Sequence, residues 1–198
     1  MDVVEDAVSA LRAGRPVVLP TDTVYGLAAS PIESKPVERI NELKGRSDQP
    51  IALIAPSREL LAEWLPESCD RWSSLIKALL PGPYTLVLPN PERRLPWLSP
   101  GREETIGVRV PELPDETQRV LDRFGPVAAT SANRHGEPDP RRVEEIPESI
   151  RATAVVIDGG ELPGTPSTVL DLSGPEPVLL RAGAGDPVRA LALARAAL

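Results

Sequence analysis

The sequence predicts an α/β fold: a single domain, residues 1–198, in which helices flank a twisted sheet of mixed parallel and antiparallel strands. Three observations support this prediction. Short apolar strand segments alternate with amphipathic helical segments along the whole chain. Some consecutive strands are joined by connections too short for a crossover helix, which favours antiparallel pairing between them. Hydrophobic residues make up 41% of the chain, enough to bury a core.

Apolar residues spaced three or four positions apart predict the helices, and capping or breaking residues mark their ends. In the first helix the stripe is Val3, Val4, Ala7 and Leu11, and Gly14 ends it. The predicted helices cover residues 2–13, Pro36 to Gly45, 58–65 after an N-cap at Ser57, 71–80 after an N-cap at Asp70, 116–124 after an N-cap at Asp115, and 187–198, with a broken helix over 141–150.

Short apolar runs bounded by Pro, Gly and Asp predict the strands. The predicted strands cover residues 17–19, 24–29, 51–55, 84–88, 105–110, 127–130, 154–157, 169–172 and 178–180. Between the strands over 84–88 and 105–110, residues 90–104 form a proline-punctuated loop that is long enough to be a lid or a surface excursion.

The composition excludes several classes of protein. The net charge of −7 disfavours nonspecific binding to nucleic acid. The chain contains no apolar run of about 18 residues, and its first residues are acidic, so neither a membrane span nor a signal peptide is expected and we predict a cytoplasmic protein. Cys69 is the only cysteine, which excludes an internal disulfide and a cysteine-rich zinc site.

One stretch stands out as a candidate binding site: residues 20–27, which read PTDTVYGL. Two hydroxyls at Thr21 and Thr23, the phenol of Tyr25 and a turn glycine follow a strand there. One predicted helix later come Lys44 and Arg46. This combination predicts a site for a phosphorylated, polar ligand. The alternative is that the two cations only complement the helix dipole, which is worth about 0.3 to 1 kcal/mol.

Polar side chains recur at the ends of later strands, where ligands of α/β sheets bind. Arg109 lies on a strand of apolar residues, and because an unpaired buried charge is unfavourable it requires either an internal carboxylate or a ligand carboxylate. The other candidates are Ser131, Asn133, Ser167, Thr168 and Arg181. Each alone also fits a turn hydroxyl or a surface charge. The sequence has no Walker loop, GxGxxG, HExxH or nucleophile elbow, and the single histidine, His135, lies in a polar loop.

Six blocks of the chain resemble a known family in their order and spacing. They are PTDTVYGL at Pro20, KGR at Lys44, PGPYTLVL at Pro81, TIGVRVP at Thr105, SAN at Ser131 and STVLDL at Ser167. Over residues 17–183 the sequence resembles the threonylcarbamoyl-AMP synthases of the bacterial TsaC type, the short form that consists of the YrdC-like domain shared with the longer Sua5 proteins. The resemblance implies one YrdC-like domain with a concave ligand cleft.

The resemblance also implies an activity. It is that of an L-threonylcarbamoyladenylate synthase, a nucleotidyltransferase that makes threonylcarbamoyl-AMP and pyrophosphate from L-threonine, bicarbonate or CO2, and ATP, for the t6A modification of tRNA position 37. Mg2+ would bridge ATP oxygens, with no protein metal site. The implied partners are these substrates and, transiently, the threonylcarbamoyl transferase complex, with tRNA involved only indirectly and no membrane.

Roles for individual residues follow from the same resemblance. Lys44 and Arg46 would be the catalytic cations that hold the ATP phosphates. The other ATP-binding residues would be Ser131, Asn133 and Arg181, and the threonine-binding residues would be Thr21, Tyr25, Arg109 and Ser167, with the carboxylate of threonine on Arg109.

The chain departs from the family pattern at three places. It has no histidine after the strand that follows KGR, Pro166 replaces a usual glutamate, and Ala182 replaces a usual proline. Two alternatives therefore stay open: a noncatalytic RNA-binding or ribosome-assembly module, and a diverged paralogue that uses another carbamoyl-adenylate.

Overall fold

The computed structural model describes residues 2–198, whose strands all belong to one sheet. The strands are β1 (Val17–Pro20), β2 (Tyr25–Ala29), β3 (Ala52–Ile54), β4 (Tyr84–Pro89), β5 (Thr105–Arg109), β6 (Val127–Ser131), β7 (Val155–Val156), β8 (Thr168–Asp171) and β9 (Val178–Arg181). Their order in the sheet is β7-β1-β2-β6-β3-β5-β4-β8-β9. The pairs β1–β7, β3–β5 and β4–β8 are parallel and the other neighbours are antiparallel, so the predicted mixed sheet is confirmed.

Helices lie on both faces of this sheet. They are α1 (Val3–Arg12), α2 (Ser34–Leu43), α3 (Arg58–Trp64), α4 (Pro66–Asp70), α5 (Ser73–Leu79), α6 (Asp115–Phe124), α7 (Glu148–Arg151) and α8 (Pro187–Ala196). The helix lengths and compositions over residues 2–198 rule out a helical membrane span in that part of the chain.

The two faces of the sheet are covered unequally. The larger core joins α2–α5, α7 and α8 to one face, where Leu53, Leu86 and Val108 are fully buried. On the opposite face α1 and α6 pack over β1, β2 and β6, through residues such as Leu11 and Leu121. Because side chains alternate between faces along a strand, the neighbours of Leu53, Leu86 and Val108 point to the side that α1 and α6 leave uncovered.

Two predicted caps are wrong. Asp70 does not begin a helix: Pro66, which suits a first helical turn, begins α4, so Asp70 is its last residue, and α5 starts at Ser73 after Trp72. Asp115 lies within the first turn of α6 and makes no side-chain cap bond. By contrast, the Ser57 hydroxyl accepts a hydrogen bond from Leu60 N at 3.1 Å, which confirms that cap. The broken helix over 141–150 consists of a 3-10 turn at Val143–Glu145 and α7.

The 90–104 loop is anchored by one buried side chain. Asn90 donates through Nδ2 to Arg94 O at 2.8 Å and to Glu103 O at 3.0 Å, and its Oδ1 accepts from Arg94 N at 3.0 Å. The side chain is 1% exposed. These bonds fold the loop back on itself, and Ser99 and Arg102 come to border the uncovered face of the sheet.

Replacing Asn90 by Ala should destabilise the protein by about 2 to 4 kcal/mol, because the three backbone groups it satisfies lose their partner in a buried place. Urea denaturation at pH 7.5 measures the difference. Glu92→Ala, an exposed change in the same loop, is the control and should stay within about 0.5 kcal/mol of the wild type. Equal denaturation midpoints for the Asn90 variant and the wild type would contradict the anchoring role.

Candidate functional site

A cavity of about 370 Å3 lies over the part of the sheet that α1 and α6 leave uncovered. Its floor is made of small residues, Gly26, Ala52, Gly107 and Ala129, which keep the space open. Four arginines line it, Arg46, Arg102, Arg109 and Arg181, while the only acidic residue among the lining residues of the described chain is Asp139. A cavity with this excess of positive charge favours an anionic ligand.

Arg109 at the end of β5 is the most buried of these cations. Its Nη2 donates to Asp22 Oδ1 at 2.7 Å and to Thr23 Oγ1 at 3.2 Å. Its Nε is buried and has no acceptor among residues 2–198. Burial lowers the pKa of Arg109, while Asp22 raises it. Of the two alternatives for this arginine, the structure shows the internal carboxylate, and Nη1 has no acceptor among residues 2–198.

Thr21 organises the turn between β1 and β2. Its Oγ1 donates to Val24 O at 2.7 Å and accepts from Thr23 N at 3.2 Å and from Val24 N at 3.3 Å. The hydroxyl of Thr21 thereby bonds the backbone groups of the turn, as threonine hydroxyls do in tight turns. Thr21 borders the cavity, and Thr23 reaches Arg109 beside it.

Ser167 borders the cavity and links β4 to the edge strand β9. Its Oγ lies 2.7 Å from Thr85 Oγ1, and Arg181 donates to it through Nη2 at 3.1 Å and to Ser167 O through Nε at 3.0 Å. Arg181 on the edge strand β9 is therefore held over the same cavity as Arg109. Thr168, the next residue, is fully buried and its hydroxyl donates to Gly185 O at 2.6 Å, away from the cavity.

The two cations of the KGR block have different surroundings. Arg46 borders the cavity and is oriented by Asn41 Oδ1 at 2.9 Å from its Nε and by Thr130 Oγ1 at 3.3 Å from its Nη2. Lys44 is only 3% exposed and does not border the cavity. The predicted pair is therefore a cavity arginine with a buried lysine next to it.

The Lys44 ammonium is held by the loop that follows β6. Its Nζ donates to Ser131 O at 2.5 Å, to Asn133 O at 2.7 Å and to Asn133 Oδ1 at 2.7 Å. The Ser131 hydroxyl, which borders the cavity, also donates to Asn133 Oδ1 at 2.7 Å. Burial, and secondarily Arg46, lower the pKa of Lys44 to about 7. Lys44 and Asn133 thus fix the loop that presents Ser131.

Tyr25 points away from the cavity. It lies on the same side of β2 as Leu27, in the larger core, whereas Gly26 between them faces the cavity. Its hydroxyl donates to Gly160 O at 2.7 Å, lies 3.1 Å from Asp158 Oδ1 and accepts from Gly159 N at 2.9 Å. Burial raises its pKa to about 12. Of the residues predicted for threonine, Tyr25 alone is not at the cavity.

Three charged residues near the cavity are not among the candidates that the sequence predicts. Asp22 stands between Thr21 and Thr23, and that placement is a usable signal. Arg102 lies in the 90–104 loop near other arginines, and no pattern distinguishes it; it contacts Asp171 Oδ2 at 3.2 Å. Asp139 lies in a loop rich in Gly and Pro. Residues 2–198 contain no cluster of three or more His, Cys, Asp or Glu side chains suited to a metal.

These contacts define what the site can do chemically. No cysteine or histidine is among the residues that line the cavity in the described chain. The arrangement offers instead several guanidinium groups and bonded hydroxyls around a space with a small-residue floor. Such a site accelerates a reaction by holding two substrates together and by stabilising negative charge as it develops.

The chain is similar to a set of known proteins. The family model Sua5/YciO/YrdC, described as "Telomere recombination", matches residues 9–183. A threonylcarbamoyl-AMP synthase of Pyrococcus abyssi is 40% identical over 179 residues, covering 87% of this chain and 52% of that protein. One of Vibrio campbellii is 34% identical over 173 residues, covering 84% and 92%.

A solved structure is similar as well. The crystal structure of P. abyssi Sua5 complexed with L-threonine superposes with a TM-score of 0.80 at 36% identity, covering 91% of this chain and 54% of that one. The chain thus spans about half the length of the P. abyssi proteins and nearly all of the Vibrio one.

The buried lysine should make stability depend on pH. Between about pH 7 and 9 the unfolded chain keeps the Lys44 proton that the folded protein releases, so the free energy of unfolding of the wild type should rise relative to Lys44→Met, by up to about 1.4 kcal/mol per pH unit. Urea denaturation at several pH values measures this slope. Lys35→Met, on the exposed side of α2, should follow the wild type. Parallel curves for the wild type and Lys44→Met would refute the burial of a titrating ammonium.

Proposed function

The chain belongs to the Sua5/YciO/YrdC family, and we propose that it is an L-threonylcarbamoyladenylate synthase that forms threonylcarbamoyl-AMP and pyrophosphate from L-threonine, bicarbonate or CO2, and ATP. The observation that carries this proposal is that Arg109, a buried arginine with an unbonded Nη1 group, lies on the same cavity as three further arginines. One ligand carboxylate and one polyphosphate would satisfy these cations. The product would serve the t6A modification of tRNA.

The amino-acid end of the cavity is proposed to lie at Arg109. The Nη1 group of that arginine has no acceptor within residues 2–198, and a ligand carboxylate is a suitable acceptor for such a charged donor. Thr21 and Ser167 border the same cavity and would hold the polar groups of threonine. Tyr25 would act indirectly, because its bonds hold the 158–160 turn. The related P. abyssi Sua5 structure, which holds L-threonine, supports threonine as the ligand of this cavity.

The nucleotide end is proposed to lie at Arg46, Ser131 and Arg181, all of which border the cavity. Lys44 and Asn133 would shape this end by fixing the loop that carries Ser131. Asp139 is the only lining carboxylate among the described residues, so Mg2+ would enter as part of the ATP substrate, held by phosphate oxygens and water.

The reaction needs no nucleophile from the protein. The amine of threonine attacks CO2 and loses a proton, which gives a carbamate. A carbamate oxygen then attacks the α-phosphorus of ATP, and the bond to pyrophosphate breaks. Arg46 and Arg181 would stabilise the charge that develops on the phosphates, and Arg109 would keep the amino acid oriented for attack.

The alternatives receive less support. The net charge of −7 disfavours an RNA-binding module, and the relatives from Pyrococcus abyssi and Vibrio campbellii are named as synthases. A paralogue with another carbamoyl-adenylate would have to differ at the amino-acid end. The cytoplasmic location, the single-domain organisation and the transient contact with a transferase complex stay predictions of the sequence.

Pyrophosphate release from ATP and bicarbonate tests the proposal directly. It should require L-threonine, and mass spectrometry should show threonylcarbamoyl-AMP. Arg46→Ala should lower kcat/KM for ATP by about 10- to 100-fold, because a charge-assisted bond to phosphate is lost. Arg39→Ala, on the exposed face of α2, should keep wild-type kinetics. Pyrophosphate release that ignores threonine would reject the synthase, and full activity of Arg46→Ala would reject the phosphate site.

Filling the cavity floor should abolish binding without unfolding the protein. A Cβ on Gly107 would have no heavy atom closer than 3.8 Å and would point into the cavity, so Gly107→Leu should fold and exclude ligands. Calorimetry with ATP and with threonine should show at least about tenfold weaker binding. Gly174→Ala, in the β8–β9 turn, has similar room and is the control. A folded Gly107→Leu protein with wild-type affinity would place the ligands elsewhere.

A further inference from the structure

Asp22 makes an ion pair that crosses the sheet. It lies at the tip of the β1–β2 hairpin, and Arg109 ends β5, which is separated from β2 by β6 and β3. The Asp22 Oδ1 to Arg109 Nη2 distance is 2.7 Å, and the other carboxylate oxygen accepts from Glu112 N at 3.4 Å. Arg109 borders the cavity and Asp22 does not. The carboxylate therefore acts on the cavity through the arginine.

The pair is buried in a way that no other ion pair of residues 2–198 matches. The side chains of Asp22 and Arg109 are 11% and 10% exposed, whereas every other pair has a partner at least 36% exposed. Charges that are shielded from water interact strongly, so Asp22 largely cancels the charge of Arg109. Burial raises the pKa of Asp22, and Arg109 opposes this shift.

This compensation changes what Arg109 can bind. Its Nη2 is occupied by Asp22 and Thr23 and its Nε is shielded from solvent, so Nη1 is left to donate to a ligand carboxylate. A ligand with a carboxylate and no amine would add a net negative charge to a pair that is already neutral. A ligand that also carries an α-ammonium group adds no net charge, so the pair favours it. The other cation that acts on Arg109 is Arg181, which we place at the nucleotide.

We propose that Asp22 is a positioning residue that makes the amino-acid subsite selective for zwitterions: it holds Arg109 by Nη2 and cancels its charge, so that a carboxylate is accepted together with its amine. The inference rests on the proposed binding of threonine at Arg109. It assigns a role to a residue that does not border the cavity, and it predicts discrimination against carboxylates that lack an amine.

Two ligands of nearly equal size test this role. L-threonine is the zwitterion, and 3-hydroxybutyrate is the same molecule without the amine. Calorimetry on the 198-residue protein, saturated with a nonhydrolysable ATP analogue so that the cations assigned to the nucleotide are neutralised, gives the Kd of each. The wild type should prefer threonine by at least about tenfold, and Asp22→Asn, which keeps the shape of the side chain but not its charge, should reduce that preference at least about tenfold. Asp70→Asn, which changes net charge equally at an exposed site, should keep the wild-type preference.

The outcomes distinguish the role of Asp22 from the proposed binding of threonine. An unchanged preference in a folded Asp22→Asn protein overturns the role of Asp22 while leaving threonine binding in place, as does a variant that still binds no detectable 3-hydroxybutyrate. If Asp22→Asn does not fold, the two Kd values of the wild type are compared instead, and equal affinity for the two ligands overturns the inference. A wild type that does not bind threonine at all overturns the proposed function itself.

Discussion

The site exists because one face of the sheet is only half covered. On the larger-core face every central strand buries its side chains against helices, so Leu53, Leu86 and Val108 are fully buried. On the other face α1 and α6 stop after β1, β2 and β6. The alternation of side chains then turns the neighbours of those core residues toward the cavity, and all of them but Ile54 lie outside the core under α1 and α6. A cavity results without any interruption of the strands.

Three cations in or beside this cavity, two of them buried, are each held by a different set of partners. Arg109 has a carboxylate partner in Asp22, Arg181 is bonded to Ser167, and Lys44 has three oxygens of the Ser131–Asn133 loop. An unpaired buried charge would be strongly unfavourable, so the partners of Arg109 and Lys44 are a condition for keeping these two cations buried. They also differ in what they leave available. Arg109 keeps free donors, whereas the Lys44 ammonium is saturated by its protein acceptors.

The secondary structure could be predicted well from the sequence where local rules dominate. Ser57 caps its helix as its position predicts, and the strand segments are found within one or two residues of the predicted ranges. The prediction of an N-cap at Asp70 is wrong because Pro66 begins a helix four residues earlier. Tyr25 misled for another reason: its phenol looked available for a ligand, yet alternation along β2 turns it into the larger core. That alternation was legible in the sequence, because Gly26 and Tyr25 cannot share a face.

The sequence by itself determined the mixed sheet, the positions of the strand ends and the six blocks that place the chain in its family, because these follow from local periodicity and from residue order. The tertiary structure alone decided which cations meet. Asp22 and Arg109 are 87 residues apart and become partners only because the sheet order brings a hairpin tip to the end of β5. Likewise, whether Lys44 or Arg46 faces the cavity depends on how the end of α2 packs against the loop after β6. Periodicity carries no information about such contacts between distant elements, since packing of the whole chain sets them.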